Sequence, residues 1–198
     1  PAVLITVLMS MILIRGIQES ARFNGFIVVL KVTVVITFIV LGWSYIDPAN
    51  YENYIPANTG AFENFGWTGI MTGAAVVFFA FIGFDAVSTA AQETKNPQRD
   101  MPIGIMGSLA ICTILYVLFA HVMTGIENYT HFKGEAAPVA LAIASTPYKF
   151  MQELIIMAIL AGYSSVILVL LLGQSRVFFS MSKDGLIPKL FSDIHPKF

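Results

Sequence analysis

The chain has 198 residues, of which 57% are hydrophobic and 12% charged, with a mean hydropathy of +0.77 and a formal net charge of −1. Soluble domains are roughly half apolar and a quarter charged, so this composition excludes an ordinary soluble globule and points to an all-α, polytopic membrane protein. The near-neutral charge gives no electrostatic footprint for a nucleic-acid partner.

A hydrocarbon core about 30 Å thick needs about 20 apolar residues per helical span. Stretches at 1–17, 23–46, 65–92, 102–126 and 152–176 supply five spans in a single membrane domain over 1–198. The first begins at Pro1, with no charged leader and no recognisable secretory signal, and the chain reads as an internal piece of a longer protein.

The second span holds Lys31 among valines, leucines and isoleucines, with no opposite charge near it along the helix. An ammonium there costs several kcal/mol unless it is paired, snorkels or loses its proton. Two readings stand side by side: a snorkelling lysine about two turns from the cytoplasmic interface, and a residue that exchanges protons.

Between Glu63 and Glu93 the third span carries a single charge, Asp85, directly after the glycine-interrupted run Phe79-Ala80-Phe81-Ile82-Gly83-Phe84. Unwound backbone at membrane depth is tolerated only where protein or a water-filled cavity satisfies it, and transporters place such breaks at their substrate sites. The break is expected near 80–85, with carbonyls of Phe79, Ala80 and Ile82 and the Asp85 carboxylate receiving a substrate ammonium. Asp85 also suits N-capping of the half-helix that follows, and the two roles are compatible. Gly69 and Gly73 form a small-xxx-small pair suited to close helix approach, a weak signal.

In the fourth span Cys112 has no possible intrachain partner, because it is the chain's single cysteine, and it reads as a packing residue. The segment at about 136–145 is too short to cross and is expected to form an interfacial or re-entrant helix that caps an outer vestibule. The fifth span carries Ser164 and Ser165 at mid-depth; such hydroxyls most often bond back to the preceding turn, or they meet Lys31 if the two helices pack together. His121, His131 and His195 show no ligand-like spacing, with His121 read as an interface residue, so neither a metal nor another cofactor is expected. No nucleophile-base pair is visible, and an enzyme is not expected.

Cations alternate between loops. Arg15 and Arg22, then Lys95 and Arg99, then Arg176, Lys183, Lys189 and Lys197 lie on one side, while loop 47–64 has none and 127–151 has only Lys133 and Lys149. The positive-inside rule puts the first set in the cytoplasm, and Trp43, Tyr45 and Trp67 then lie at the outer headgroup level. Lys95, Arg99 and Arg176 read as cytoplasmic anchors or, more sharply, as inner-gate partners of Glu19 and Glu93.

The run from Phe78 through Phe81-Ile82-Gly83-Phe84-Asp85 and Gln92-Glu93-Thr94-Lys95-Asn96-Pro97 to Pro102 closely resembles the cationic amino acid transporter family of the amino acid-polyamine-organocation superfamily. Glu19-Ser20-Ala21-Arg22-Phe23-Asn24 and the run Gly173 to Pro188 match it as well, so the resemblance covers essentially the whole chain. It implies the five-plus-five inverted-repeat transporter fold, with these spans as transmembrane helices four to eight of at least ten. Carbonyls at Phe79, Ala80 and Ile82, beside Gly83 and Asp85, would bind the substrate ammonium, while the helix that would bind its carboxylate is missing. Lys31 matches a fifth-helix lysine that stands for a sodium ion in proton-coupled relatives, and Ser164 and Ser165 match the hydroxyl positions beside it.

The resulting expectation is a multi-pass secondary transporter of the cytoplasmic membrane that moves a cationic or small neutral L-amino acid by alternating access, coupled to protons. Its partners would be the amino acid, protons, lipid and the missing helices. The rivals are a polyamine or other amine exchanger of the same superfamily, a helical channel or receptor, and, least favoured, a membrane-embedded enzyme.

Overall fold

The computed structural model describes residues 2–14, 17–52, 55–60, 65–81, 83, 94, 96–135 and 137–193, with backbone alone for 17–19, 80, 81 and 149. Every regular element among them is helical. In chain order these are α1 (Ala2–Ile14), α2 (Ile17–Gly42), α3 (Gly66–Val77), α4 (Pro97–Ile126), α5 (Pro138–Ala144) and α6 (Lys149–Lys183), with short 3-10 turns between them.

Among the described residues three helices are long and apolar enough to cross a membrane: Ser20–Tyr45, Pro97–Ile126 and Phe150–Lys183. The apolar helices α1 and α3 are shorter. Helix ends follow local chemistry. Pro97 and Pro138 occupy first-turn positions, where a missing N–H costs nothing. α6 stops at Gly185, whose positive φ of 78° lets Leu186 N–H reach back to the Met181 carbonyl at 2.9 Å.

The packed core lies where α2, α4, α5 and α6 meet: Phe38, Ile39, Val122, Ile126, Ile143, Met151 and Ile155 are buried together. Lipid tails are as apolar as these side chains, so close packing rather than water exclusion holds the helices. Phe38 stands against Phe119 with ring centroids 4.6 Å apart, and Gly42 faces Val122 and Ile126, so α2 and α4 advance in parallel. α6 runs antiparallel to α2: as α2 climbs from Asn24 to Phe38, its partners on α6 go back from Ser165 to Met151.

α3 is built differently. Trp67, Met71, Phe78 and Phe79 at and beyond it are exposed. A side-chain amide at its start, Asn58, donates to Thr68 Oγ1 at 2.7 Å and ties the preceding loop to its first turn.

Candidate functional site

The glycine-interrupted stretch begins where α3 ends. After Val77 the chain tightens into a 3-10 turn over Phe78–Phe81, and Phe78 N–H is shared between the carbonyls of Ala74 and Val76. Two residues on, Gly83 has φ of 145°, a conformation that a side chain would strain. Regular α-helix therefore ends before the residues expected to bind substrate. Phe79 is 75% exposed, and Ala80 lies within the turn. Ile82, Asp85 and Glu93 lie outside the described residues, as does the side chain of Glu19.

The second cluster is the seam between α2 and α6. On α2, Ser20, Asn24, Ile27, Lys31, Val34 and Phe38 recur at alternating steps of four and three, which places them on one helix face. On α6, Met151, Ile155, Ala158, Gly162 and Ser165 do the same, and all but Gly162 are buried. The Ser165 hydroxyl, 3% exposed, donates to Asn24 Oδ1 at 2.5 Å. One turn earlier Ser20, 1% exposed, donates to the Ile12 carbonyl of α1 at 3.3 Å.

The two adjacent serines of α6 thus have different fates. Ser164 bonds back to the Leu160 carbonyl at 3.0 Å, whereas Ser165 reaches across to α2. Its partner is Asn24, about 10 Å along the helix axis from Lys31. Equal steps along the antiparallel pair bring Lys31 level with Ala158, while Gly162 lies level with Ile27, one turn nearer Ser165; both positions are small. Lys31 is half-buried, and no hydrogen bond or ion pair joins it to another described residue. In the sequence Asn24 figures only as the end of the run Glu19 to Asn24, with no role attached; the signal that singles it out is its heptad phase with Ser20 and Lys31.

A third cluster closes the end of the bundle where α4 stops. Asn50 Nδ2 and Asp47 N–H both donate to the Gly125 carbonyl, at 2.8 and 3.0 Å. The Tyr51 hydroxyl donates to the His121 carbonyl at 2.8 Å, and its ring lies parallel to the His121 imidazole with centroids 4.9 Å apart. Glu127 accepts from the His131 ring and from the Ser145 hydroxyl, the latter at 2.7 Å. The His131 hydrogen bond, then that of Ser145, holds the Glu127 carboxyl below its usual range. At the other end Arg99 is exposed in the first turn of α4, and Arg176 is half-buried on α6 and engaged in a contact.

A family model described as amino acid permease matches residues 2–198. The chain is 44% identical over 197 residues to a branched-chain amino acid permease of Bacillus subtilis, covering all of this chain and 41% of that relative. A methylthioribose transporter of the same organism is 40% identical over 198 residues, again with 41% of its length covered. A chloroplastic cationic amino acid transporter of Arabidopsis thaliana is 40% identical over 195 residues, or 98% of this chain and 33% of that protein. The chain thus spans about two fifths of its bacterial relatives' length. Matched essentially from end to end, this multi-pass helical membrane protein belongs to the amino acid permease family of the amino acid-polyamine-organocation superfamily.

Proposed function

We propose that the full-length protein is a secondary active transporter that carries an L-amino acid across the cytoplasmic membrane by alternating access, coupled to protons. The observation that carries this reading is the end-to-end match to relatives that include branched-chain and cationic amino acid carriers. Permeases move their substrate unchanged, which agrees with the lack of a catalytic constellation in the sequence.

In this reading the five apolar stretches are five crossings, and the end of regular helix at Val77 opens the substrate site. Carbonyls of Phe79, Ala80 and Ile82, with Gly83 and Asp85, receive the substrate ammonium. Lys31 carries the proton, with Ser164 and Ser165 on α6 as the hydroxyl positions of the same coupling site, and its charge biases the α2–α6 packing between outward-open and inward-open states. Glu19, Glu93, Arg99 and Arg176 pair at the inner gate.

The test is uptake by the full-length protein in proteoliposomes with an inward proton gradient imposed and then collapsed. Gradient-dependent uptake of branched-chain or cationic amino acids supports the reading. The 40% identity to a methylthioribose transporter favours a second reading, a thiosugar substrate. Methylthioribose uptake that amino acids do not compete for would select it.

A further inference from the structure

We infer that Asn24 is a positioning residue of the proposed coupling site, holding the Ser165 hydroxyl so that its oxygen is free to accept. The inference rests on the proton-coupled reading above. A serine hydroxyl has one proton and two acceptor lone pairs. In a membrane helix the default is to donate that proton to the preceding turn, as Ser164 does to Leu160. Ser165 gives its proton to Asn24 Oδ1 instead, across the interface and nearly out of solvent. The proton's direction is therefore fixed by α2, and the oxygen's lone pairs turn away from Asn24 into the seam.

Lys31 is the cationic donor that shares this seam. It lies on the same face of α2, and helical side chains lean toward the N-terminus, which tilts its stem back toward the Asn24 level. Ala158 and Gly162 leave that path open; around Gly162 no other group lies within 4 Å of where a Cβ would stand. Among the described residues few other titratable groups compete. α1 carries none. On α4, Cys112 lies level with Lys31 and Tyr116 a turn beyond, while on α6 Glu153 and Tyr163 are exposed and Arg176 is several turns past Ser165.

The test compares pH profiles of uptake by the full-length protein carrying Asn24→Leu, Ser165→Ala, both changes, or Lys31→Met. Loss of one buried hydrogen bond predicts uptake about tenfold slower in Asn24→Leu. The profile should change as it does in Ser165→Ala, and the double variant should be no worse than either single one. A packing role alone would slow uptake without moving the profile. A parental profile in Asn24→Leu beside an altered one in Ser165→Ala, or additive losses in the double variant, overturns the inference. If Lys31→Met removes the pH dependence, that failure belongs to Asn24 alone; if Lys31→Met keeps it, the coupling reading fails as well. Should Asn24→Leu not fold, Asn24→Cys with Ser165→Cys decides, in a background with every native cysteine of the full-length protein, Cys112 included, replaced. Oxidative cross-linking within folded protein is expected, and its absence overturns the contact.

Discussion

Both oxygens of Glu127 are engaged, one by the His131 ring and one by the Ser145 hydroxyl, so a single carboxylate joins the end of α4 to the end of α5. Its folded carboxyl is held low by these donors. A depressed folded value means that the clasp stabilises the fold at pH above the ordinary carboxylate range and is lost as pH falls through the depressed value. Glu127→Gln should therefore lower thermal stability at neutral pH by about 1 kcal/mol, a modest figure for a partly exposed pair. The deficit relative to the parent should shrink as pH falls through the acid range; melting curves from pH 7 downward check this, and a deficit that does not change with pH would refute it.

A neighbouring residue makes a steric case. A Cβ on Gly125 would stand 2.2 Å from the Tyr51 hydroxyl and 3.0 Å from Ile46 Cγ2, in a site with no slack. Gly125→Ala should displace Tyr51 from the His121 ring and cost about 1–3 kcal/mol as overpacking does. Adding Tyr51→Phe removes the closest clashing atom, so the double variant should melt above Gly125→Ala alone. A double variant that melts no higher would show that the ring of residue 51, whose Cζ also stands 3.0 Å from the new Cβ, or Ile46, and not the hydroxyl, sets the limit.

At the scale of the element, α2 meets α4 through a glycine. A Cβ on Gly42 would lie 2.6 Å from Val122 and 2.9 Å from Ile126, and Val122 is 0% exposed. Gly42→Ala should push the helices apart at a cost of about 1–3 kcal/mol, while Gly25→Ala, with nothing within 4 Å, should cost nothing by this route. Equal melting temperatures for the two variants would argue that the α2–α4 contact yields. The sequence shows the apolar stretches but not these contacts. Hydropathy marks the part of a helix that hydrocarbon requires, so the stretch 152–176 underestimates a helix that runs from Lys149 to Lys183. Beyond residue 176, polar residues such as Ser180, Ser182 and Lys183 extend the helix as readily as apolar ones and leave no hydropathy signal. Lys31 is conspicuous because a lone ammonium in hydrocarbon is costly wherever it points. Asn24 is not, since an amide near the start of a span costs little and its partner lies 141 residues on. Nor does the sequence distinguish Ser164 from Ser165; only the phase of α6 against α2 turns one to its own carbonyl and the other across the seam.

At the scale of the whole molecule, loop charge and aromatic placement agree on sidedness. By the positive-inside rule the loop cations give the expectation that the start of α4 and the end of α6 face the cytoplasm. The folded cap around Tyr51, His121, Glu127 and Ser145 then lies outside, at the far end of α4, with Trp43 5.9 Å from the His121 ring, where headgroups favour amphipathic rings. Sequence alternation alone cannot distinguish a compact cap from loose loops, but the bonds from Asp47, Asn50 and Tyr51 onto α4 tie this segment to one end of the bundle. The opposite end keeps its charge: Lys183 lies over the Phe179 ring at 4.6 Å, and Lys189 opens the turn that follows α6. Single cysteines in a cysteine-free background of the full-length protein, with Cys112→Ala among its changes, test this arrangement. A membrane-impermeant maleimide should label Ser145→Cys in intact cells and Lys189→Cys only after permeabilisation. The reverse pattern would invert every crossing and place the Glu127 clasp, with its acid-labile stability, in the cytoplasm. Labelling of both in intact cells would mean that α6, for all its 35 residues, does not carry the chain across.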